Sequence, residues 1–397
     1  MPLRLIATNW PLLLGMGVLM LGAGLQSTLL GLRATLEEFP TVVTGIVMSC
    51  YYVGYVIGTV TARPLLRQLG HIRVFAALAA VASVAILVQG CFVNPWSWGA
   101  MRLVSGLCFA GIYVVAESWL NDRATRANRG RLFAMYMLIL YVGLGAAQFL
   151  LNFSDPRTPI PFMLVAVLIS LAMVPIVVSA QQVPNHAVPR RVHLRELYGN
   201  SPLGVVAVTM SGLISSIIFS MGPVYARLSG LETPGVAAFM AASILAAVVT
   251  QYPIGRLSDH IDRRTVIAGV CTLAMLLAGS IVAFPDLPRA AFLALAALFS
   301  GFALTLYSLS VSHVNDKLEP AQMVASSSAL LLLNGGAAAL GPFLAGSLMA
   351  AFGPRAYFAT LACLSGTLAV YDLWRKSRQR PVPPSQKGPF IRAQPRA

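Results

Sequence analysis

The residues in this sequence that could do chemistry are few, and most lie in apolar surroundings. Arg102 sits in an apolar stretch about one helical turn beyond Trp96 and Trp98, and Glu117 follows fifteen residues later. On one α-helix the two fall ~60° apart around the axis and ~22 Å apart along it. They share a broad face and cannot touch. An ionisable group inside a bilayer costs at least about 2.5–3.5 kcal/mol, so it ordinarily faces a cavity or a partner. Arg102 reads as a cavity charge that binds a solute or couples its movement to protons. The competing reading is an arginine whose head reaches back to the interface. Glu117 reads as a brace to a loop arginine, with direct proton transfer as the alternative.

The other polar side chains deep in apolar runs are Gln26, Tyr52, Tyr55, Tyr113, Tyr141, Gln148, Tyr307 and Asn334. Hydroxyls and amides in an apolar cleft are ordinary orienting groups for a small ligand. The same groups can instead anchor helix ends at the interface or tie helices together. No Asp or Glu falls near the middle of a predicted span. Proton coupling would therefore have to work through Arg102 or Glu117, and an uncoupled carrier stays open. The five histidines are scattered at 71, 186, 193, 260 and 313. HExxH, GxSxG and GxxxxGK[ST] are lacking, which leaves no basis for an enzyme or an ATP-driven pump. The five cysteines lie in apolar segments without a CxxC pair, as small buried residues do. Neither a metal site nor a cofactor is expected.

The elements that hold these residues follow from composition. The 397-residue chain is 57% hydrophobic and 10% charged, against about 25% charged for a soluble domain. Such a surface needs lipid as its solvent. Runs of roughly 20 apolar residues indicate membrane-spanning helices rather than barrel strands of about 10 alternating residues. Twelve spans are predicted, at 9–31, 41–62, 74–93, 97–120, 132–153, 159–179, 202–226, 235–256, 265–284, 290–313, 323–350 and 355–374. The first follows Arg4 and resembles a signal peptide, but its apolar run from Trp10 to Leu30, about 21 residues, is long for one and reads as an uncleaved helix.

Charge sets the expected orientation. The formal net charge is +15, which in a soluble chain would suggest nucleic acid; here nucleic-acid binding is not expected, because the basic residues sort by side. With the N-terminus in the cytoplasm, twenty-two of the 28 Lys and Arg fall on the cytoplasmic side and five opposite, with Arg102 inside a span. That split places both termini in the cytoplasm. The expected organisation is a six-helix bundle over 1–180, a cytoplasmic linker over 181–201, a second six-helix bundle over 202–376 and a basic tail over 377–397.

An internal repeat joins the two bundles. At a shift of 194, Tyr113, Ser118, Asn121 and Asp122 coincide with Tyr307, Ser312, Asn315 and Asp316, and Arg123 meets Lys317. The same shift maps span onto span along the chain. Two parallel halves of six helices, related by an axis along the membrane normal, are a known transporter layout.

The segment Gly255-Arg-Leu257-Ser-Asp259-His260-Ile-Asp262-Arg263-Arg264 resembles the loop signature Gly-x-Leu-x-Asp-Arg-x-Gly-Arg-Arg of the major facilitator superfamily. Gly255, Leu257, Asp259, Arg263 and Arg264 match, while His260 and Asp262 depart. The resemblance implies the twelve-helix fold of that superfamily and a gate in which Asp259 and Arg263 tie helix ends together. The first-half loop Arg63-Pro-Leu65-Leu-Arg67-Gln-Leu-Gly70-His71-Ile-Arg73 keeps Gly70 and basic residues such as Arg73. Arg67 stands where the acid belongs, so Glu117 or Asp122 would have to supply it.

Arg102-Leu-Val-Ser-Gly106 is similar to the superfamily's Arg-x-x-x-Gly signature, associated with proton-coupled members. Gly341-Pro342 in span eleven is like the Gly-Pro motif that drug antiporters carry in helix five. Span five here, with Gly143, Gly145 and Gln148, has no proline, which weighs against drug antiport. The combination most resembles the uncharacterised bacterial YcaD-like branch. The resemblance also puts Gln26, Tyr55, Tyr113, Tyr141, Gln148, Tyr307 and Asn334 on helices that line the central cavity.

The expectation is thus a monomeric transporter of a small solute in the bacterial inner membrane, with protons as the candidate coupling ion. A drug/proton efflux antiporter is the near alternative. A non-transporting membrane receptor or scaffold is the alternative of another class.

Overall fold

The computed structural model describes residues 2–124, 128–178, 194–318 and 320–376. Most of the expected linker and all of the expected tail lie outside them. Fourteen α-helices and one short 3-10 turn make up the described chain. They are α1 (Pro2–Leu36), α2 (Thr41–Leu69), α3 (His71–Cys91), α4 (Pro95–Arg123), α5 (Arg129–Leu150), α6 (Ile160–Val178), α7 (Leu194–Asn200), α8 (Pro202–Leu228), α9 (Thr233–His260), α10 (Arg263–Ala283), α11 (Arg289–Asn315), α12 (Pro320–Ala338), α13 (Gly341–Phe352) and α14 (Ala356–Lys376). Among the described residues, twelve segments are long and apolar enough to cross a membrane. Each overlaps one of the spans predicted from sequence.

Local chemistry explains where these helices begin and break. Asn94 caps α4 by accepting from the Ser97 amide at 2.8 Å, with Pro95 at the first helical position, where a missing N–H is harmless. Gly70, at φ 77°, ends α2 and turns the chain so that His71 is already the first residue of α3. Span eleven is not the continuous helix expected over 323–350. It breaks between α12 and α13, just before Pro342. Proline lacks a donor and its ring clashes with the carbonyl four residues earlier, so the helix restarts there.

By contacts the chain divides into two compact units, Met1–Ala187 with Gly230–Ala241, and Val188–Ser229 with Ala242–Ala397. Inside the first unit α2 packs on α4, α1 on α5 and α6, and α3 on α4 and α6. Inside the second, α8 packs on α11, α12, α13 and α14, and α10 on α11 and α14. The α9–α11 contact is marked by Thr250, which donates to the Gly301 carbonyl at 2.8 Å, and by Gln251, which donates to the Ser308 hydroxyl at 3.1 Å. The pairings repeat from unit to unit, as the 194-residue repeat requires. Buried aromatics fill the interiors: Trp98, Trp119, Phe75 and Phe162 in the first unit, Tyr357, Phe358 and Phe299 in the second. Large apolar side chains such as Val60, Val84, Phe149, Val249 and Val370 point outward. A row of that kind is tolerable only against lipid.

Candidate functional site

The closest helix pair in the first unit positions Arg102. A Cβ at Gly106 would fall on the Tyr51 carbonyl, one at Gly54 on the Leu103 carbonyl, and one at Gly58 on the Leu107 carbonyl. Three glycines therefore let α2 and α4 touch backbone to backbone. Gly106 lies one turn along α4 from Arg102, on the same face. The approach it permits brings the Tyr51 ring to Arg102, whose guanidinium carbon sits 4.3 Å from the ring centroid. This gives the Arg-x-x-x-Gly spacing a physical meaning: the glycine admits the neighbouring helix and the arginine meets its ring.

Arg102 is 3% exposed, and its buried Nε has no hydrogen-bond partner. Among the described residues none of the ion pairs includes it. A desolvated cation–π contact is worth about 2 kcal/mol, whereas isolating a guanidinium from water costs several kcal/mol. The Tyr51 ring lowers that penalty without removing it. One turn further along α4, Ser105 accepts from the Gln26 amide of α1 at 3.5 Å, and Gln26 also donates to Gln89 of α3 at 3.4 Å. Gln89 in turn accepts from the Trp98 indole at its backbone carbonyl, 2.9 Å away. A polar thread from α1, α3 and α4 thus runs beside Arg102.

Other expected cavity residues are engaged inside their own units. Tyr55 lies between the rings of Tyr51 and Tyr113, with centroids 6.3 and 6.5 Å away. The Tyr113 hydroxyl donates to the Met20 sulfur at 3.4 Å. Gln148 accepts from Thr28 at 2.6 Å and donates to the carbonyls of Gly24 and Leu144, tying α5 to α1. Asn334 donates to the Val208 carbonyl at 3.0 Å and the Ser211 hydroxyl at 3.1 Å, tying α12 to α8. Tyr307 belongs to an apolar cluster with Leu197, Val208, Val311, Val314 and Leu330. Tyr141 is buried at 2% exposed.

The repeated segments at the ends of α4 and α11 form matching latches. In the second unit Arg263, the first residue of α10 and 1% exposed, donates to the Ser312 carbonyl at 3.1 Å, to Asp316 through a short ion pair, and to Asp259 at 3.1 Å. Asp262, one of the departures from the signature, caps α10 by accepting from the Arg264 amide at 3.2 Å. Arg264 is buried at 4% exposed, and Gly255 is buried on α9. In the first unit the first residue of α3 is His71. Its Nε2 lies 3.1 Å from the Ser118 hydroxyl and 3.8 Å from Asp122. Asp122 thus faces His71, not Arg73, which is exposed; Glu117 is half-buried one helix position before Ser118.

Sequence reasoning passed over two of these participants and one buried charge outside them. Tyr51 was masked by its neighbour Tyr52, one residue and ~100° away on the helix. His71 was legible from register, since it follows Gly70 as Arg263 follows Asp262 in the signature. Asp372, 0% exposed near the end of α14, is a buried carboxylate that its place close to a predicted span end concealed.

With this geometry in hand, the class of protein is fixed by comparison. Residues 12–333 and, in an overlapping match, 234–396 fit the Major Facilitator Superfamily, and the chain belongs to that family. It is a multi-pass membrane transporter and not an enzyme, with a small-molecule substrate and bilayer lipid as its partners. Among similar proteins, an uncharacterized MFS-type transporter of Enterobacter sp. (strain 638) is 28% identical over 94% of this chain and 96% of its own. The uncharacterized MFS-type transporter YcaD of Escherichia fergusonii is 30% identical over 89% of this chain and 92% of its own. In fold, the chain is similar to the nucleoside transporter NupG, with a TM-score of 0.74 at 14% identity over 92% of this chain and 98% of that one. It is likewise similar to a bacterial homolog of the human lysosomal transporter Spinster in an inward-facing and occupied conformation, with a TM-score of 0.78 at 13% identity over 96% of this chain and 98% of that one.

Proposed function

We propose that this protein is a secondary active transporter that carries a small solute across the bacterial inner membrane by alternating access, with both termini in the cytoplasm. Two six-helix bundles, 1–180 and 202–376, would rock about a midplane site, joined by the linker at 181–201. The observation that carries this reading is the repeated latch. The helix starting at His71 is held by Ser118 and Asp122, and the helix starting at Arg263 by Ser312 and Asp316. A fold that builds the same helix-end clamp in each half keeps each bundle rigid, which is what rigid-body rocking requires.

Arg102 is the residue proposed to face the solute, together with Gln26 on α1, Tyr55 on α2 and Tyr113 further along α4. Protons are the proposed coupling ion, consistent with the Arg102-x-x-x-Gly106 pattern.

Flux tests both parts. Purified protein in proteoliposomes should move at least one member of a broad panel of acids, amines, sugars and nucleosides faster than protein-free vesicles. An imposed pH gradient should change the rate. A rate indifferent to the gradient removes proton coupling and leaves a uniporter. No flux of any solute favours a receptor or scaffold.

A further inference from the structure

We propose that Arg102 anchors an anionic group, a carboxylate, on the transported solute; the inference rests on the transport reading above. Arg102 is a buried cation whose counter-charge the first unit does not supply. Among the described residues Glu37 pairs with Arg33 at 2.7 Å, and Asp122 faces His71. None of the ion pairs among the described residues includes Arg102. Its guanidinium carbon lies 4.3 Å from the Tyr51 ring centroid, a contact that offers no full counter-charge. Its Nε donor is buried with no hydrogen-bond partner.

A planar guanidinium with an unpartnered donor on its edge is shaped for bidentate binding of a carboxylate. A neutral solute would leave the charge uncompensated, and a cationic one would be repelled. The setting supplies what a carboxylate's remainder needs. Tyr51, Tyr55, Tyr113 and Phe109 line the α2–α4 seam as an apolar wall with hydroxyl tips. Ser105 lies one turn along α4 from Arg102 and accepts from Gln26 of α1, so further hydrogen-bonding groups stand on the same stretch of helix. The glycine seam fixes Tyr51 against Arg102, so the donor edge is held in place before the solute arrives.

The test uses purified full-length protein in proteoliposomes and matched pairs of hydrophilic carboxylates and their primary amides, with protein-free vesicles subtracted. The expected result is at least a tenfold preference for the acid in one or more pairs, and at least a tenfold loss of that flux in Arg102→Gln. Arg102→Lys keeps the charge without the fork and should retain an intermediate rate. If Arg102→Gln does not fold, the lysine variant carries the comparison, and full wild-type flux in it overturns the bidentate anchor. Amides or amines moved as well as the acids overturn the inference while the transport reading stands. Acid flux undiminished in Arg102→Gln does the same. If no solute moves at all, the transport reading fails, and the inference falls with it.

Discussion

The Nε2 of His71, at the first position of α3, lies 3.8 Å from the Asp122 carboxylate on α4. Its counterpart in the second unit is the ion pair of Arg263 with Asp316. The carboxylates are repeat partners, but their cations differ in kind. A guanidinium is always charged, whereas an imidazole can exist neutral and keep its hydrogen bond to Ser118.

The two carboxylates should therefore differ in worth. Asp316→Ala leaves a guanidinium that is 1% exposed with Asp259, 39% exposed, as its remaining carboxylate. Stripping one partner from a buried pair costs about 3–5 kcal/mol. Asp122→Ala leaves a histidine that can shed its proton, and the loss should stay near the ~1 kcal/mol of a weak pair. Thermal unfolding in detergent, with both variants beside wild type, measures the difference. Equal losses would show that His71 is held as a full cation.

Lys317, just past the end of α11, gives a pH dependence. Partial burial, then the charges of Arg264 and Arg375, hold its ammonium down at about 8, against the opposing pull of Asp262 and Asp316. An unfolded lysine titrates near 10.4. Between those values the unfolded chain binds more protons, so stability rises with pH across that window. Below pH 8 the penalty is fully present. Lys317→Gln should accordingly raise the melting temperature at pH 7, and its advantage should fade as pH climbs from 8 towards 10.4. A constant advantage over that range would point to packing instead of charge.

How much of this was legible in sequence depended on what each residue answers to. Spans answer to solvent, so twelve apolar runs could be read directly. Their ends could not, because α2 continues from the expected 62 to Leu69 through Arg63 and Arg67 as ordinary helix. The break before Pro342 was signalled by the proline, but its place depended on helix restart geometry. Arg102 stood out because a lone charge in an apolar run is rare. Its partner Tyr51 did not, since a face is set by rotation about the helix and three tyrosines crowd positions 51 to 55. The latches obey the repeat at Asp122 and Asp316. His71 departs from that repeat, matching Arg263 only through the loop register, because the two halves differ by two residues between the loop and α4.

The α2–α4 seam should be intolerant of a methyl group. Gly106→Ala would drive a Cβ into the Tyr51 backbone, which cannot swing away as a side chain can. Overpacking of this kind costs about 1–3 kcal/mol or more. Gly269→Ala on α10 meets nothing within 4 Å and should leave the melting temperature unchanged or raised. Gly106→Ala should also displace Tyr51 from Arg102, so its folded fraction should transport more slowly than its stability loss explains. A Gly106→Ala protein as stable and active as wild type would mean that the helices can separate freely.

Gln148 and Asn334 test whether deep amides contact solute or join helices. Every polar atom of the Gln148 amide group has a partner: its oxygen accepts from Thr28, and its nitrogen donates to Gly24 and Leu144. Asn334 donates to Val208 and Ser211 across to α8. Interhelical hydrogen bonds in membranes average about 0.6 kcal/mol and reach about 1.7. Gln148→Ala and Asn334→Ala should each lower stability by about 1–2 kcal/mol on that scale, with KM for the transported solute unchanged. A several-fold rise in KM without a stability loss would reverse the assignment and make these amides solute contacts. Arg102→Gln should behave in the opposite sense, since removing a buried charge that lacks a counter-ion relieves a desolvation penalty even as it removes the solute's anchor. The three variants, measured for melting temperature and KM together, separate the groups that hold the bundles from the one proposed to hold the cargo.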